Sequence, residues 1–276
     1  MDNAIVDPDL PIIDPHHHLY PSNHWAHGTP YLLREFSHDL GSGHNVVATV
    51  YVECGNLARS AGPDHLRGAG EAAFANVIAR LAESGNFGAT RVCEGFVGHA
   101  DLRLGERLAE TFAALAEASE GRLRGIRSSA AWDADPSAAP GARAFAPQGL
   151  MADPAFRTGV RACAEAGLVY DAWQYYPQLR ELAALADAVP EASIVAGHCG
   201  GLLGTGKYAG PDNFANWRAQ VLELAKRPNV VMKLGGLAHD RNGFAYRARA
   251  QRPAPAELVA DWAPYVETCI ETFGAA

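Results

Sequence analysis

Short runs rich in β-branched and aromatic residues recur along the chain, separated by Ala- and Leu-rich stretches whose apolar positions return at helical spacing. The runs cover 12–19, 46–54, 91–99, 123–129, 168–175, 193–199 and 230–237. Between them, 70–83, 104–118, 155–166, 178–188, 214–226 and 256–273 read as helices, several opened by Pro or Asp and closed by Gly or Pro. Seven strands alternating with helices predict a parallel β/α architecture. The Ala- and Pro-rich stretch 133–148 reads as the loop after the fourth strand rather than a linker, because the alternation resumes unchanged beyond it. One domain over 1–276 is therefore expected.

In a barrel of this type, strand bodies fill the core and functional side chains stand where strands end. The ends are polar here. Period-two alternation along 46–54 makes Glu53 the last inward residue of the second strand. Arg127 ends the fourth strand, Asp171 and Trp173 share one side of the fifth, and Lys233 points inward on the seventh. In the first strand, "IIDPHHHLY" puts Asp14, His16 and His18 on one face and Pro15 and His17 on the other. Two imidazoles about 7 Å apart along a strand can share a metal ion or grip one polar group. Pro15 disfavours a paired central strand and is expected to mark the end of ladder pairing.

The sixth run, "IVAGHCGG", ends on His198 followed by glycines that let the chain turn sharply. A lone histidine is most often a satisfied structural residue, but His-x-His at one strand end with a third histidine at another points to function. His17, His24, His27, His38, His44, His65, His99 and His239 carry no such spacing and read as loop, surface or packing residues. Glu53 either acts in catalysis or pairs with Arg127, and Asp171 either orients a histidine or acts directly.

Composition narrows the partners. With 276 residues, 48% of them hydrophobic, the chain can bury a large core. Its 23 basic and 31 acidic residues give −8 with no long run of either sign, which argues against nucleic acid and anionic membrane as partners and leaves a small-molecule substrate. The apolar run 46–52 is too short to span a bilayer, and the first residues lack the basic start and apolar core of a signal peptide, so a cytoplasmic protein is expected. Five widely spaced cysteines without a Cys-x-x-Cys pair do not form a disulfide framework or a structural zinc site. The segment "GLLGTGK" at 201–207 matches part of a phosphate-binding loop, but Tyr208 follows it and Gly210-Pro211 prevents a helix from starting there. It reads instead as a lid, with Lys207 facing the substrate.

The order Asp-x-His-x-His, Arg-Gly-Ile-Arg, "YDAW", "GHCGG" and "NVVMKLGGL" resembles the amidohydrolase superfamily. More narrowly, it resembles the amidohydrolase-related TIM-barrel hydrolases that include sugar lactonases and 2-pyrone-4,6-dicarboxylate lactonase. The resemblance runs over nearly the whole chain. It implies a TIM (β/α)8-type fold and hydrolysis of a lactone or related carbonyl ester of a small acidic or sugar-derived molecule. The resemblance makes His16 and His18 the first-strand pair and His198 the sixth-strand histidine, with Arg127 and Lys233 as anion contacts; the residues' own pattern adds Glu53 and Asp171 as catalytic candidates and Trp173 and Tyr176 as candidate substrate contacts. One divalent metal, zinc, would sit on His16, His18 and His198, with a metal-free mechanism as the alternative. Ester hydrolysis needs a polarised carbonyl, an activated water and support for the oxyanion, and these residue types supply all three.

Two departures from the family pattern matter. The family carries an aspartate at the end of an eighth strand, whereas this chain stops at "ETCIETFGAA" after the last helix. The expectation is a C-terminally truncated barrel with open edges on its first and seventh strands, unstable or paired with another chain as a homo-oligomer. In addition, Tyr176 in "YYPQL" stands where relatives place histidine, and a phenol is a poor metal ligand. A zinc-dependent decarboxylase and a non-catalytic barrel are the competing functional readings.

Overall fold

A computed structural model describes residues 4–21, 29–138 and 146–274. The chain divides into two compact units, Met1–Arg127 and Ser128–Ala276, with the division at the end of the fourth strand. His24 and His27 lie outside the described residues.

The first unit holds strands β1 (Ile12–His17), β2 (Val46–Val52), β3 (Arg91–His99) and β4 (Leu123–Arg127). Each pairs in parallel with the next. Helices Ala69–Ala82 and Arg107–Ala118 follow β2 and β3, and a helix that the periodicity does not announce, Leu33–Leu40, follows β1. It is short, and only Leu33 and Phe36 are buried on it, too few apolar positions to set a period. Strand β2 is buried on both faces at Ala48, Thr49, Tyr51 and Val52, as expected for a parallel strand flanked by helices.

Pro15 falls inside an irregularity of the β1–β2 ladder. Asp14 pairs with Thr49 and His17 with Tyr51, so three steps on β1 oppose two on β2. The proline interrupts pairing without ending it, a correction to the sequence-based expectation. A bulge absorbs the missing N–H, and the strand resumes through His17.

The second unit holds β5 (Val169–Ala172), β6 (Ile194–Ala196) and β7 (Val230–Met232), again parallel and in chain order. Its helices are Pro154–Glu165, Leu179–Ala188, Asn213–Leu224 and Pro255–Phe273. Pro154 occupies the first turn of its helix, and the Asp153 carboxylate accepts from the Ala155 N–H at 2.8 Å. Trp217, Tyr170 and Phe156 are fully buried and form the centre of this unit's core.

Strand–helix alternation with parallel strands in chain order makes this a TIM-barrel-type α/β fold, with seven strands and no eighth among the described residues. The strands end earlier than the apolar runs suggest, β7 at 232 rather than 237 and β1 at 17 rather than 19. The surplus residues leave the ladder and build the strand-end loops. Among the described residues, no helix is long and apolar enough to cross a membrane.

Candidate active site

In the first unit, the alternation of β1 separates the three consecutive histidines. His17 turns into the core at 7% exposure, stacked on Phe36 at 4.3 Å and 3.0 Å from the Thr49 hydroxyl. Burial pushes its pKa down to about 3, so it stays neutral. His16 and His18 turn the other way and meet edge to face, with Nε2 to Nε2 at 3.1 Å.

The partner of His18 decides its tautomer. Its Nδ1 lies 2.7 Å from the Val52 carbonyl oxygen, which can only accept. Nδ1 therefore carries the proton, and the Nε2 lone pair of the neutral ring faces His16. The backbone N–H of His16 donates to the Asp14 carboxylate at 3.0 Å, which fixes the chain at the bulge. Arg127, 7% exposed at the end of β4, brings Nη2 to 3.4 Å from His16 Nδ1 and 3.5 Å from its Nε2. A guanidinium and two imidazoles thus share one strand-end cluster.

Glu53 follows β2 half-buried. Behind it stands a carboxylate that the sequence reading missed. Glu71, on the helix Ala69–Ala82 and 3% exposed, accepts from the Tyr51 hydroxyl (2.8 Å), the Cys54 N–H (2.9 Å) and the Gly55 N–H (3.2 Å). It holds the loop that carries Glu53. Burial raises the pKa of Glu71, and the nearby Glu53 charge adds to the rise. In a chain with 31 acidic residues, nothing but position on the buried face of a helix distinguished it.

In the second unit, Asp171 and Lys233 form a buried ion pair, Nζ to Oδ2 at 2.6 Å with side chains 1% and 9% exposed. Lys233 thus has a carboxylate of its own. The Trp173 ring meets His198 edge-on at 5.2 Å, and the Arg241 guanidinium lies over Trp173 at 4.8 Å. Tyr176 sits apart from these contacts, its hydroxyl donating to Asn213 Oδ1 at 2.8 Å and its ring against Tyr208. Lys207 and Tyr208, at the end of the phosphate-loop look-alike, both bind the buried Asp133 carboxylate, at 2.7 and 2.5 Å. The helix begins only at Asn213, beyond Pro211.

His198 opens a left-handed turn. His198, Cys199, Gly200 and Gly201 all have positive φ (52°, 51°, 78° and 77°). For the two non-glycine residues this conformation costs roughly 1–2 kcal/mol each. It is held by Cys199 N–H to the Lys233 carbonyl (2.9 Å) and Trp217 Nε1 to the Cys199 carbonyl (2.8 Å). A Cβ at Gly201 would lie 1.9 Å from the Gln174 carbonyl oxygen, so only glycine fits. Strain of this kind, held by its surroundings, is characteristic of functional positions.

A family model for amidohydrolases matches residues 13–276. The chain belongs to the amidohydrolase family. It is a hydrolase of that superfamily, as the order of its strand-end motifs implies. This amidohydrolase is 28% identical to the uncharacterized protein y4mH of Sinorhizobium fredii, over 96% of this chain and 82% of the relative. A Burkholderia multivorans amidohydrolase solved with bound zinc is 27% identical, with a TM-score of 0.63 over 95% of this chain and 80% of that one. A Pseudomonas putida structure assigned as a 2-pyrone-4,6-dicarboxylic acid hydrolase shares the fold at 18% identity, with a TM-score of 0.55 over 95% of this chain and 78% of that one.

Among the described residues of this amidohydrolase, no group of three or more His, Cys, Asp or Glu is gathered to hold a metal ion. His16 and His18 nevertheless fit as two members of such a set. Two nitrogens on one tetrahedral zinc stand about 3.3 Å apart, given bonds of about 2.0–2.1 Å. The observed 3.1 Å, with the His18 lone pair already aimed inward, is close to that spacing.

Proposed function

We propose that this amidohydrolase opens a lactone or closely related carbonyl ester of a small polar molecule by water attack. The observation that carries the reading is the His16–His18 pair, fixed in tautomer by Val52 and flanked by Arg127. Ester cleavage needs a base for the water and positive charge where the carbonyl oxygen becomes an oxyanion. The inward lone pair of His18 can take or hold a proton at Nε2. The guanidinium of Arg127 supplies fixed positive charge beside it. An alkoxide leaves with less proton assistance than an amine does, which favours an ester over an amide for this set of groups.

A zinc ion such as the B. multivorans relative contains would be held here by His16 Nε2 and His18 Nε2, and when bound it would polarise the carbonyl or the water. The role of Val52 is the same with or without it: it keeps the His18 Nδ1 proton in place and the ring from rotating.

A panel of γ- and δ-lactones followed by proton release tests the reading. The unaltered protein is expected to turn over at least one of them, and His18→Ala to lower kcat/KM by roughly 10²-fold or more. Turnover of no lactone, together with carbon dioxide release from a carboxylic acid substrate, would overturn it in favour of decarboxylation.

A further inference from the structure

The cysteines differ in what faces their sulfurs. Cys54 meets the Glu71 carboxylate at 3.5 Å, and Cys93 meets a ring nitrogen of His17 at 3.8 Å. Cys199 and Cys269, both in the second unit, meet each other. The Cys269 thiol donates to the Cys199 sulfur, and the Gly235 N–H donates to the same atom. Both thiols are free and enclosed, at 0% and 1% exposure.

The two come from separate elements, Cys199 from the left-handed turn opened by His198 and Cys269 from the helix Pro255–Phe273. Aromatic packing brings these elements together independently of sulfur. Trp217 donates from Nε1 to the Cys199 carbonyl at 2.8 Å, and its ring lies 4.8 Å from that of Tyr265, one turn before Cys269 on the helix. Phe214 meets the same tyrosine at 5.2 Å. The thiol contact is therefore part of how the helix seats on the turn.

Packing alone does not call for cysteine at either place. At φ of 51° the Cys199 backbone disfavours any side chain, and glycine occupies the next two positions. A thiol is a weak donor and a weak acceptor, so the contact itself returns little. What sets two touching thiols apart from other small buried side chains is that oxidation can join them. The helix leaves room for that chemistry. Of its 19 residues only Thr268 and Cys269 are buried, and Pro264 lies inside it. Local opening of so lightly packed a segment costs less than global unfolding and admits a small oxidant.

We propose that Cys199 and Cys269 are a reversible redox pair, which hydrogen peroxide joins into a disulfide that pins this helix to the His198 turn. The Cys199 sulfur attacks one peroxide oxygen, the O–O bond breaks, and the thiol proton leaves with the displaced hydroxide as water. The Cys269 sulfur then attacks the sulfenic acid so formed, the S–O bond breaks, and the hydroxyl takes the second thiol proton as another water. Two thiols and one peroxide become one disulfide and two waters, with two electrons passing from the sulfurs to the peroxide oxygens. A dithiol reductant reverses the change. At about 2.05 Å the S–S bond is shorter than any thiol hydrogen bond, so the turn or the helix shifts as it forms. Nothing in this depends on which bond the enzyme hydrolyses.

The protein is treated with hydrogen peroxide, its remaining thiols are blocked under denaturing conditions, and its peptides are mapped by mass spectrometry. The expected result is a Cys199–Cys269 cross-link as the main disulfide, a mass lower by two hydrogen atoms, and full reversal by dithiothreitol. Because the bond closes a loop of about 70 residues, it should raise the melting temperature by several degrees, a rise that dithiothreitol removes. Cys199→Ala and Cys269→Ala should each abolish the cross-link and the rise. Cys163→Ala, which removes a buried thiol elsewhere in the same unit, should leave both unchanged. Peroxide that oxidises the half-buried Cys54 while Cys199 and Cys269 stay reduced would overturn the proposal, as would a main disulfide that uses any other cysteine. So would a cross-link that forms no faster in the folded protein than in urea, because the fold would then not direct it.

Discussion

His18 is tied to the carbonyl of Val52 by a 2.7 Å hydrogen bond from Nδ1, and that one contact sets the chemistry of the first strand end. With the proton held at Nδ1, Nε2 presents its lone pair to His16, 3.1 Å away. Nitrogen NMR of the histidine side chains should find His18 in the Nδ1–H form near neutral pH. On addition of zinc, the Nε2 resonance should move while the Nδ1 proton stays. A His18 ring protonated at Nε2 in the resting protein would remove the basis for its role as base or ligand.

Lys233 and Asp171 depend on each other. At 2.6 Å and nearly sealed from water, the pair is of the kind whose one-sided removal costs roughly 3–5 kcal/mol, because the remaining charge is stranded. Lys233→Met is therefore expected to lower stability as well as activity, as read by urea unfolding. Combining it with Asp171→Leu should recover most of the stability while leaving turnover low. Unchanged stability in the single variant would show that Asp171 has other adequate support.

Glu71 gives the protein a pH dependence. Burial and the Glu53 charge raise its pKa in the folded state above the ordinary carboxylate value. Between the unfolded and folded pKa values the native state binds more protons, so stability falls as pH rises through that window. Its hydrogen bonds to Tyr51, Cys54 and Gly55 oppose the trend by favouring the ionised form. Glu71→Gln should flatten the dependence, measured as melting temperature against pH from 4 upwards. A variant with the same slope as the unaltered protein would show that Glu71 titrates normally.

The strands and most helices were legible because buried parallel strands make continuous apolar runs and amphipathic helices repeat their apolar positions. That His17 turns away from its two neighbours follows from the same period-two geometry, and it is packed on Phe36 while His16 and His18 face each other. Two kinds of information were not in the pattern. One is pairing: the sequence places Asp171 on strand five and Lys233 on strand seven, but does not give their 2.6 Å contact, which depends on relative register. The other is the loop residues. Arg241 sits in "GGLAHDRNG", a stretch without periodicity, and its position over Trp173 comes from hydrogen bonds to another loop. Glu71 was hidden for the opposite reason, as a charged residue on the buried face of an otherwise ordinary helix.

The last prediction concerns how closely His198 is held. Gly236 has φ of +69°, and a Cβ built there would stand 2.6 Å from His198 Cγ and 2.7 Å from its Nδ1. Neither the left-handed backbone nor the space tolerates a methyl group, so in Gly236→Ala the imidazole or the loop after β7 must move. Because His198 is itself in a left-handed conformation fixed by its neighbours, the loop is the freer of the two, and Asn242, bonded to the Gly236 carbonyl, moves with it. Stability should fall by roughly 1–2 kcal/mol from the backbone alone, and kcat by at least about tenfold from misplacement of His198. Gly210→Ala is the control, since a Cβ there meets nothing within 4 Å and the backbone needs no positive φ. If Gly236→Ala loses stability but keeps full turnover, the close packing against His198 is structural and the ring need not be held where it is for catalysis.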